Sequence, residues 1–143
     1  MTWFKSVGKL VYDPVRPGLK RRNGPGWAVV EIGNGITWYY RWLLRSWGID
    51  VDVPAWQAHI TVCDGSNIDP KKYAEFWKKY DGLTIEFEYS IDVYRFARFY
   101  ALRVQSKQLD AIRAELGLKP NYPFHITIGS TSGWQEERKL NRK

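Results

Sequence analysis

His59-Ile60-Thr61-Val62 and His125-Ile126-Thr127-Ile128 are the two stretches that decide how this chain is interpreted. The 143 residues contain only two histidines, and each begins the same pattern of histidine, isoleucine, threonine and an aliphatic residue. On a β-strand, residues i and i+2 point to the same side. Each motif therefore predicts a strand with histidine and threonine on one face and two aliphatic side chains in the core. The repetition indicates an internal duplication.

The segments around the motifs predict an α+β fold in two pseudo-symmetric halves, with mostly antiparallel sheets and the motif strands side by side. We place the motif strands near 58–63 and 124–129. Further strands are expected over 10–12 (at a sheet edge), 27–32, 83–91 and 99–104, with a turn around Arg95 and Arg98. Helices are expected from an Asn34 N-cap to Gly48, from Asp69-Pro70 to Tyr80, and from a Ser106 N-cap to Gly117.

The helix that begins at Asn34 carries more aromatic residues than one buried face needs. Its predicted core stripe consists of Ile36, Tyr39, Tyr40, Leu43, Leu44 and Trp47. Trp38 and Trp42 lie off that stripe, and we expect either a loop or a second subunit to cover them.

Composition and charge favour one globular domain over residues 1–143. The chain has 8 Trp, 9 Tyr, 6 Phe and a formal charge of +7. A basic surface rich in aromatic rings suits a ligand with phosphates and flat bases. Alternatively, the rings belong to the core and the charge maintains solubility.

Three features concern the surroundings and the ends of the chain. The single cysteine, Cys63, excludes an internal disulfide, and no stretch resembles a signal peptide or membrane span, so we expect a cytoplasmic protein without membrane partners. The segment 13–26 holds three prolines, three glycines and four cations, which predicts a loop that is either a solvated connection or a basic lip over an anion site. Residues 131–143 are expected to form a mobile tail.

The chemistry suggested by the motifs is the transfer of protons at a phosphodiester. With a rise of ~3.3 Å per residue, His59 and Thr61 have Cα atoms about 6.6 Å apart, and His125 and Thr127 repeat this spacing. One neutral imidazole can remove a proton from the attacking hydroxyl while the other, protonated, donates to the leaving oxygen. The threonine hydroxyls can donate hydrogen bonds to the non-bridging oxygens.

Two other roles for the histidines are possible. A metal site is one, although His59 and Cys63 are separated by about 13 Å along a strand and no carboxylate in the motifs completes a ligand set. The other is that both histidines are structural residues of the core. We expect neither a metal nor another cofactor.

Paired H-x-T motifs with an aliphatic fourth residue resemble the two-histidine (2H) phosphoesterase superfamily. That resemblance implies a bilobed, LigT-like fold with a central cleft and metal-independent cleavage of phosphodiesters or 2′,3′-cyclic phosphates. The stretches 10–20, 39–42 and 56–62 are similar to the phage anti-CBASS nucleases. These 2H enzymes destroy the cyclic di- and trinucleotide messengers of bacterial antiviral immunity in the cytoplasm of the infected host.

The resemblance to the anti-CBASS nucleases also implies substrate contacts outside the motifs. Tyr12 and Lys20 are expected in the ligand site, and Trp134 and Glu136 are the candidates for the family's C-terminal contacts. Rings that could stack bases are Tyr89, Tyr94, Tyr122 and Trp134.

Two rival functions and several questions stay open. One rival is an enzyme for 2′,3′-cyclic phosphates or 2′–5′ linkages at RNA ends. The other is a sponge that binds cyclic nucleotides without cleaving them. No long nucleic acid is expected as a partner. The preferred messenger, the assignment of base and acid to the histidines, and the oligomeric state are not determined by the sequence.

Overall fold

The computed structural model describes residues 1–15, 26–54 and 56–131. Most of the predicted loop 13–26, nearly all of the tail 131–143, and the candidate residues Lys20, Trp134 and Glu136 lie outside the described residues. The strands are β1 (Trp3–Tyr12), β2 (Trp27–Glu31), β3 (Val51–Asp52), β4 (His59–Asp64), β5 (Thr84–Ser90), β6 (Tyr94–Phe96), β7 (Phe99–Gln105) and β8 (His125–Thr131). The helices are α1 (Gly35–Ser46), α2 (Pro70–Phe76) and α3 (Lys107–Glu115).

The strands form one antiparallel sheet that closes on itself. Their spatial order is β3-β8-β4-β2-β1-β5-β7-β6, and β8 also pairs with β7. Six strands (β1, β2, β4, β5, β7 and β8) therefore make a continuous ring, while β3 and β6 extend it at two places. The predicted α+β class, the antiparallel pairing and the adjacency of the two motif strands are confirmed.

The described chain passes twice through the order strand, strand, helix, strand. The first passage is β1, β2, α1 and β4, and the second is β5, β7, α3 and β8. In both, the middle strand pairs with the motif strand, β2 with β4 and β7 with β8. We call these two passages the first half and the second half. The short elements β3, α2 and β6 fall outside this repeated order.

The core follows the alternation of the motifs. Ile60, Val62, Ile126 and Ile128 are fully buried, whereas the histidines and threonines between them are half-buried. One apolar cluster packs around Leu10, Val30, Ile60 and Ile126 with Leu109 and Ile112 of α3 and with Leu116, which caps the C-terminal end of that helix. A second cluster contains Tyr40 and Leu44 of α1 with Leu102 and Ile128. The buried face of the motif strands is thus held by a helix from each half.

Strand β1 is longer and more central than predicted. We expected a short edge strand over 10–12, but β1 runs from Trp3 to Tyr12 and pairs with β2 on one side and β5 on the other. The polar and small residues Lys5, Ser6 and Gly8 hide the strand pattern. Gly8 is required there, because a Cβ atom would lie 2.5 Å from Val30 Cγ1.

Helix α1 buries a different face from the predicted stripe. Tyr39 and Trp47 were expected in the core but are 48% and 65% exposed. Thr37 and Arg41 are buried instead, together with Tyr40 and Leu44. The helix is rotated towards Arg41, whose guanidinium reaches the main chain of β8. Trp38 and Trp42 are also exposed.

Smaller differences concern the boundaries of elements. Helix α2 ends at Phe76 rather than Tyr80, although Asp69 caps it as predicted by accepting from Lys71 N and Lys72 N. The predicted turn at Arg95 is strand β6, which forms a hairpin with β7. The predicted cap and buried face of α3 are confirmed: Ser106 Oγ accepts from Leu109 N at 3.3 Å. Within the described part of the chain, no helix has the length and apolarity to cross a membrane.

Candidate functional site

The four motif side chains lie on one face of two adjacent strands. Ile60 of β4 pairs with Ile126 of β8 in antiparallel register. Continuing that register by one residue places Thr127 across from His59 and His125 across from Thr61. Histidines occupy one diagonal of this array and threonines the other, with about 7–8 Å between diagonal Cα atoms. Two imidazoles at this separation can reach one phosphate from both sides.

Both histidine rings are oriented by the same main-chain contact. His59 Nδ1 lies 2.8 Å from the carbonyl oxygen of Gln57, and His125 Nδ1 lies 3.1 Å from that of Pro123. In each case the carbonyl belongs to the residue two positions earlier. A carbonyl can only accept, so Nδ1 carries the hydrogen and Nε2 is the nitrogen that takes up or releases a proton. The same ring nitrogen of each histidine is therefore held by the same kind of main-chain contact.

Aromatic neighbours differ between the two histidines. Trp56, which is 8% exposed, lies against the His59 ring with centroids 4.1 Å apart and planes tilted by 32°. His125 instead meets the edge of the exposed Phe96 ring, 5.6 Å away, from the β6–β7 hairpin. One histidine is thus packed on a buried indole, and the other borders an accessible aromatic surface.

Charged neighbours differ as well. In the register of the sheet, Glu31 of β2 is directly across from His59, and Arg103 of β7 is directly across from His125. Directly opposed residues of an antiparallel pair project from the same face. The Arg103 guanidinium also stacks on the Tyr94 ring at 4.1 Å. A carboxylate and a guanidinium therefore flank the array on opposite sides.

Each motif strand has one extra residue relative to its neighbour immediately after its threonine. Val29 pairs with Thr61 and Ala28 with Cys63, so Val62 is an extra residue in β4. Likewise, Ala101 pairs with Thr127 and Tyr100 with Gly129, so Ile128 is an extra residue in β8. Such β-bulges turn a strand and redirect side chains. The same position of both motifs thus carries the same irregularity.

The bulge at Val62 changes the expected direction of Cys63. In a regular strand Cys63, four residues after His59, would share its face, but the thiol is buried in the core cluster. It donates to the carbonyl of Gly26 at 3.2 Å. Burial raises the pKa of the thiol to about 12, so it is protonated at neutral pH. Among the described residues, no three His, Cys, Asp or Glu side chains come close enough to hold one metal ion.

Three tyrosines predicted as substrate contacts are not brought together with the histidines and threonines. Tyr12 is buried in the core cluster, with its ring edge-on to Trp77 at 4.7 Å, and burial raises its pKa to about 12. Tyr89 is half-buried between the two core clusters. Tyr122 lies under the Arg113 guanidinium, 3.9 Å from its ring, and burial is the main cause of its raised pKa. Their contact with substrate stays a prediction.

The residues that adjoin the array were missed by the sequence analysis, apart from Tyr94. Trp56 was marked only as the first residue of the stretch 56–62, and Phe96 gave no signal beyond being aromatic. Glu31 and Arg103 stand across from the histidines only because of the strand register. A separate cavity of about 680 Å³, lined by Lys5, Glu86, Glu88, Lys107 and Gln108 among others, contains neither motif.

The geometry defines a class of site in which two imidazoles and two hydroxyls meet on neighbouring strands. Comparisons of the chain with protein-family models, curated proteins and solved structures gave no match. The proposed function therefore rests on the site itself.

Proposed function

We propose that this protein is a 2H phosphodiesterase that cleaves the 3′–5′ linkages of cyclic di- and trinucleotides in the bacterial cytoplasm. In that function it would disarm CBASS immunity on behalf of a phage. The two passages of strand, strand, helix and strand would be the two lobes of a LigT-like fold, with a cleft at the His-x-Thr array. No metal or cofactor takes part in the proposed reaction.

The observation that supports this proposal best is the matched preparation of both histidines. His59 and His125 sit diagonally on one face, and each is oriented through Nδ1 by a carbonyl two residues earlier. A structural histidine needs a satisfied ring, but packing alone gives no reason for the same contact twice on adjacent strands. Acid–base catalysis does, because it needs two imidazoles that present Nε2 to one substrate atom each.

In the proposed reaction, the ribose 2′-OH beside the scissile phosphate is the nucleophile. One neutral imidazole accepts the 2′-OH proton as the 2′-oxygen bonds to phosphorus. The bond to the 5′-oxygen breaks, and that oxygen takes a proton from the other, protonated imidazole. Thr61 and Thr127 donate hydrogen bonds to the non-bridging oxygens, where charge develops. The products are a 2′,3′-cyclic phosphate end and a free 5′-hydroxyl.

The bases of the ligand would lie on the aromatic side of the array. Phe96 of the β6–β7 hairpin contacts His125, and Tyr94 of the same hairpin lies between Phe96 and the positive charge of Arg103. Stacking of a base on an aromatic ring contributes about 1–3 kcal/mol and tolerates any base. This would suit an enzyme that attacks several messengers.

A panel of cyclic di- and trinucleotides, with products identified by mass, tests the proposal. We expect cleavage with a 2′,3′-cyclic phosphate end, no cleavage when the reacting ribose is 2′-deoxy, and an unchanged rate in EDTA. Inhibition by EDTA, or cleavage of the 2′-deoxy analogue, would contradict the two-imidazole mechanism.

The same panel distinguishes the rivals. An RNA-end enzyme would act on linear substrates with 2′,3′-cyclic phosphates or 2′–5′ linkages and leave the cyclic messengers intact. A sponge would bind the messengers without releasing products, and its capacity would survive substitution of His59 or His125 by alanine. Isothermal titration with the alanine variants measures that capacity directly.

A further inference from the structure

Two buried arginines donate hydrogen bonds to the main-chain carbonyls at the two bulges. Arg113 Nη1 donates to the carbonyl of Val62 at 2.7 Å, and Arg41 Nη1 donates to that of Ile128 at 2.9 Å. Val62 and Ile128 are the extra residues that follow the motif threonines. A bulge residue falls out of the regular ladder, and buried carbonyls need a partner. The guanidinium groups supply it.

The two arginines occupy equivalent places and act across the halves. Each is the seventh residue of its helix, counted from Gly35 in α1 and from Lys107 in α3. Arg41 belongs to the first half and donates its hydrogen bond to the motif strand of the second half. Arg113 belongs to the second half and donates its hydrogen bond to the motif strand of the first half. The exchange is reciprocal.

Both arginines are 8% exposed, and burying a guanidinium is costly unless it is well paired. Among the described residues, the ion pairs are Lys78–Asp13 and Lys79–Glu115, which involve neither arginine. Burial, and secondarily Arg45, lowers the pKa of Arg41. Arg113 is stacked on Tyr122 and donates a second, longer bond of 3.5 Å to Lys119 O. Apolar residues in these places would avoid the desolvation of two cations.

We propose that Arg41 and Arg113 are positioning residues, each fixing the bulged motif strand of the other half so that its histidine and threonine keep their orientation towards the shared phosphate. This inference rests on the proposed function. Each guanidinium also places a positive charge behind a motif strand. The threonine of that strand would face the negative charge that develops on the phosphate. Tyr122 then serves as the platform of Arg113.

Arginine-to-methionine variants test this, because methionine keeps the apolar stem and removes the donor and the charge. We expect Arg41→Met and Arg113→Met each to lower kcat about 10–100-fold with KM changed less than threefold, since one misplaced group has this effect on reacting geometry. Lysine at position 41 should restore part of kcat. It should restore less at 113, where the planar stack on Tyr122 is lost.

Arg45→Met is the matched control. Arg45 lies on the same helix as Arg41 and donates to the carbonyl of Val51 at 2.7 Å, a bond to β3 rather than to a motif strand. Loss of this hydrogen bond should leave kcat within threefold of the wild-type value. Thermal melts of all variants identify any that do not fold, in which case the lysine variant takes its place.

A readout without substrate separates this inference from the proposed function. In ¹⁵N-detected NMR of the imidazoles, Arg41→Met should perturb His125 and spare His59, and Arg113→Met should do the reverse. Unchanged imidazole signals in both variants, or the opposite pattern, would overturn the inference. If each arginine variant perturbs only the histidine of the other half, but the wild type cleaves no cyclic nucleotide, the positioning role stands and the proposed function fails.

Discussion

The first half and the second half of the molecule share their scaffold and differ in what surrounds each histidine. Both halves have a bulge after the motif threonine, and in both the histidine Nδ1 contacts the carbonyl of the residue two positions earlier. Both bulges also accept a hydrogen bond from a buried arginine on the helix of the other half. Across from His59, however, stands Glu31, and across from His125 stands Arg103. The geometry is repeated in the two halves, whereas the charged residues across from the histidines differ.

In the proposed reaction this difference would act on the ligand. Arg103, which is exposed, would attract a phosphate to the side of His125, whereas Glu31, which is half-buried, would repel one from the side of His59.

The largest expected effect comes from removing the histidines. His59→Ala and His125→Ala should each reduce kcat for a cyclic dinucleotide about 10²–10⁴-fold, the range for general acid–base catalysis. If both imidazoles serve one phosphate, the double variant should be scarcely slower than the worse single variant. Single-turnover rates measure this. If the fold-loss of the double variant equals the product of the two single fold-losses, the two histidines act independently.

The threonines should follow, with equal effects in the two halves. Thr61→Val and Thr127→Val keep the shape and remove a hydroxyl donor, and each should lower kcat about 10²-fold. Thr84→Val on the exposed end of β5 is the control and should change nothing. Initial rates at saturating substrate give the comparison. A tenfold or larger inequality between the two threonines would mean that only one hydroxyl contacts the reacting phosphate.

The residue after each bulge differs between the halves, and the difference should be visible in stability. It is Cys63 in β4 and Gly129 in β8. A Cβ at Gly129 would lie 2.6 Å from the carbonyl oxygen of Asp52 in β3, whereas a Cβ at Gly35 meets nothing within 4 Å. Gly129→Ala should destabilise the protein by about 1–3 kcal/mol in urea unfolding. Gly35→Ala should not, and equal stabilities would mean that β3 shifts freely.

The smallest effect concerns Cys63, which has no counterpart in the second half. Since its pKa is raised to about 12, the folded protein should not react measurably with iodoacetamide at pH 8. Reaction should begin only when the chain unfolds. Above about pH 9 the unfolded thiol ionises while the folded one stays protonated, so stability should fall as pH rises towards 12. Rapid alkylation of the native protein would place the thiol outside the core.

The sequence was sufficient for features that depend on local periodicity. The alternation in His59-Ile60-Thr61-Val62 and its repeat correctly predicted two strands with polar and buried faces, and Ser106 and Asp69 marked their helices correctly. Features that depend on register were missed, because a bulge at Val62 or a pairing of Glu31 with His59 leaves no trace in either segment alone.

The buried arginines show the limit most clearly. Arg41 and Arg113 look like ordinary surface cations in a chain with a charge of +7. Only the packing of α1 and α3 against the opposite motif strands shows why they are inside. A cation in the middle of an apolar helical stripe, as at Arg113 between Leu109, Ile112 and Leu116, is the one hint that the sequence contained.

The crossed arginine bonds also bear on how such a molecule could arise and how it can be taken apart. A polypeptide of half this length would lack the donor that its own bulge requires, so it could complete its motif strand only by associating with a second copy. Fusion of two such copies would convert that obligatory partnership into a single chain. Separately expressed halves of this protein should accordingly be inert alone and regain function, if at all, only on mixing.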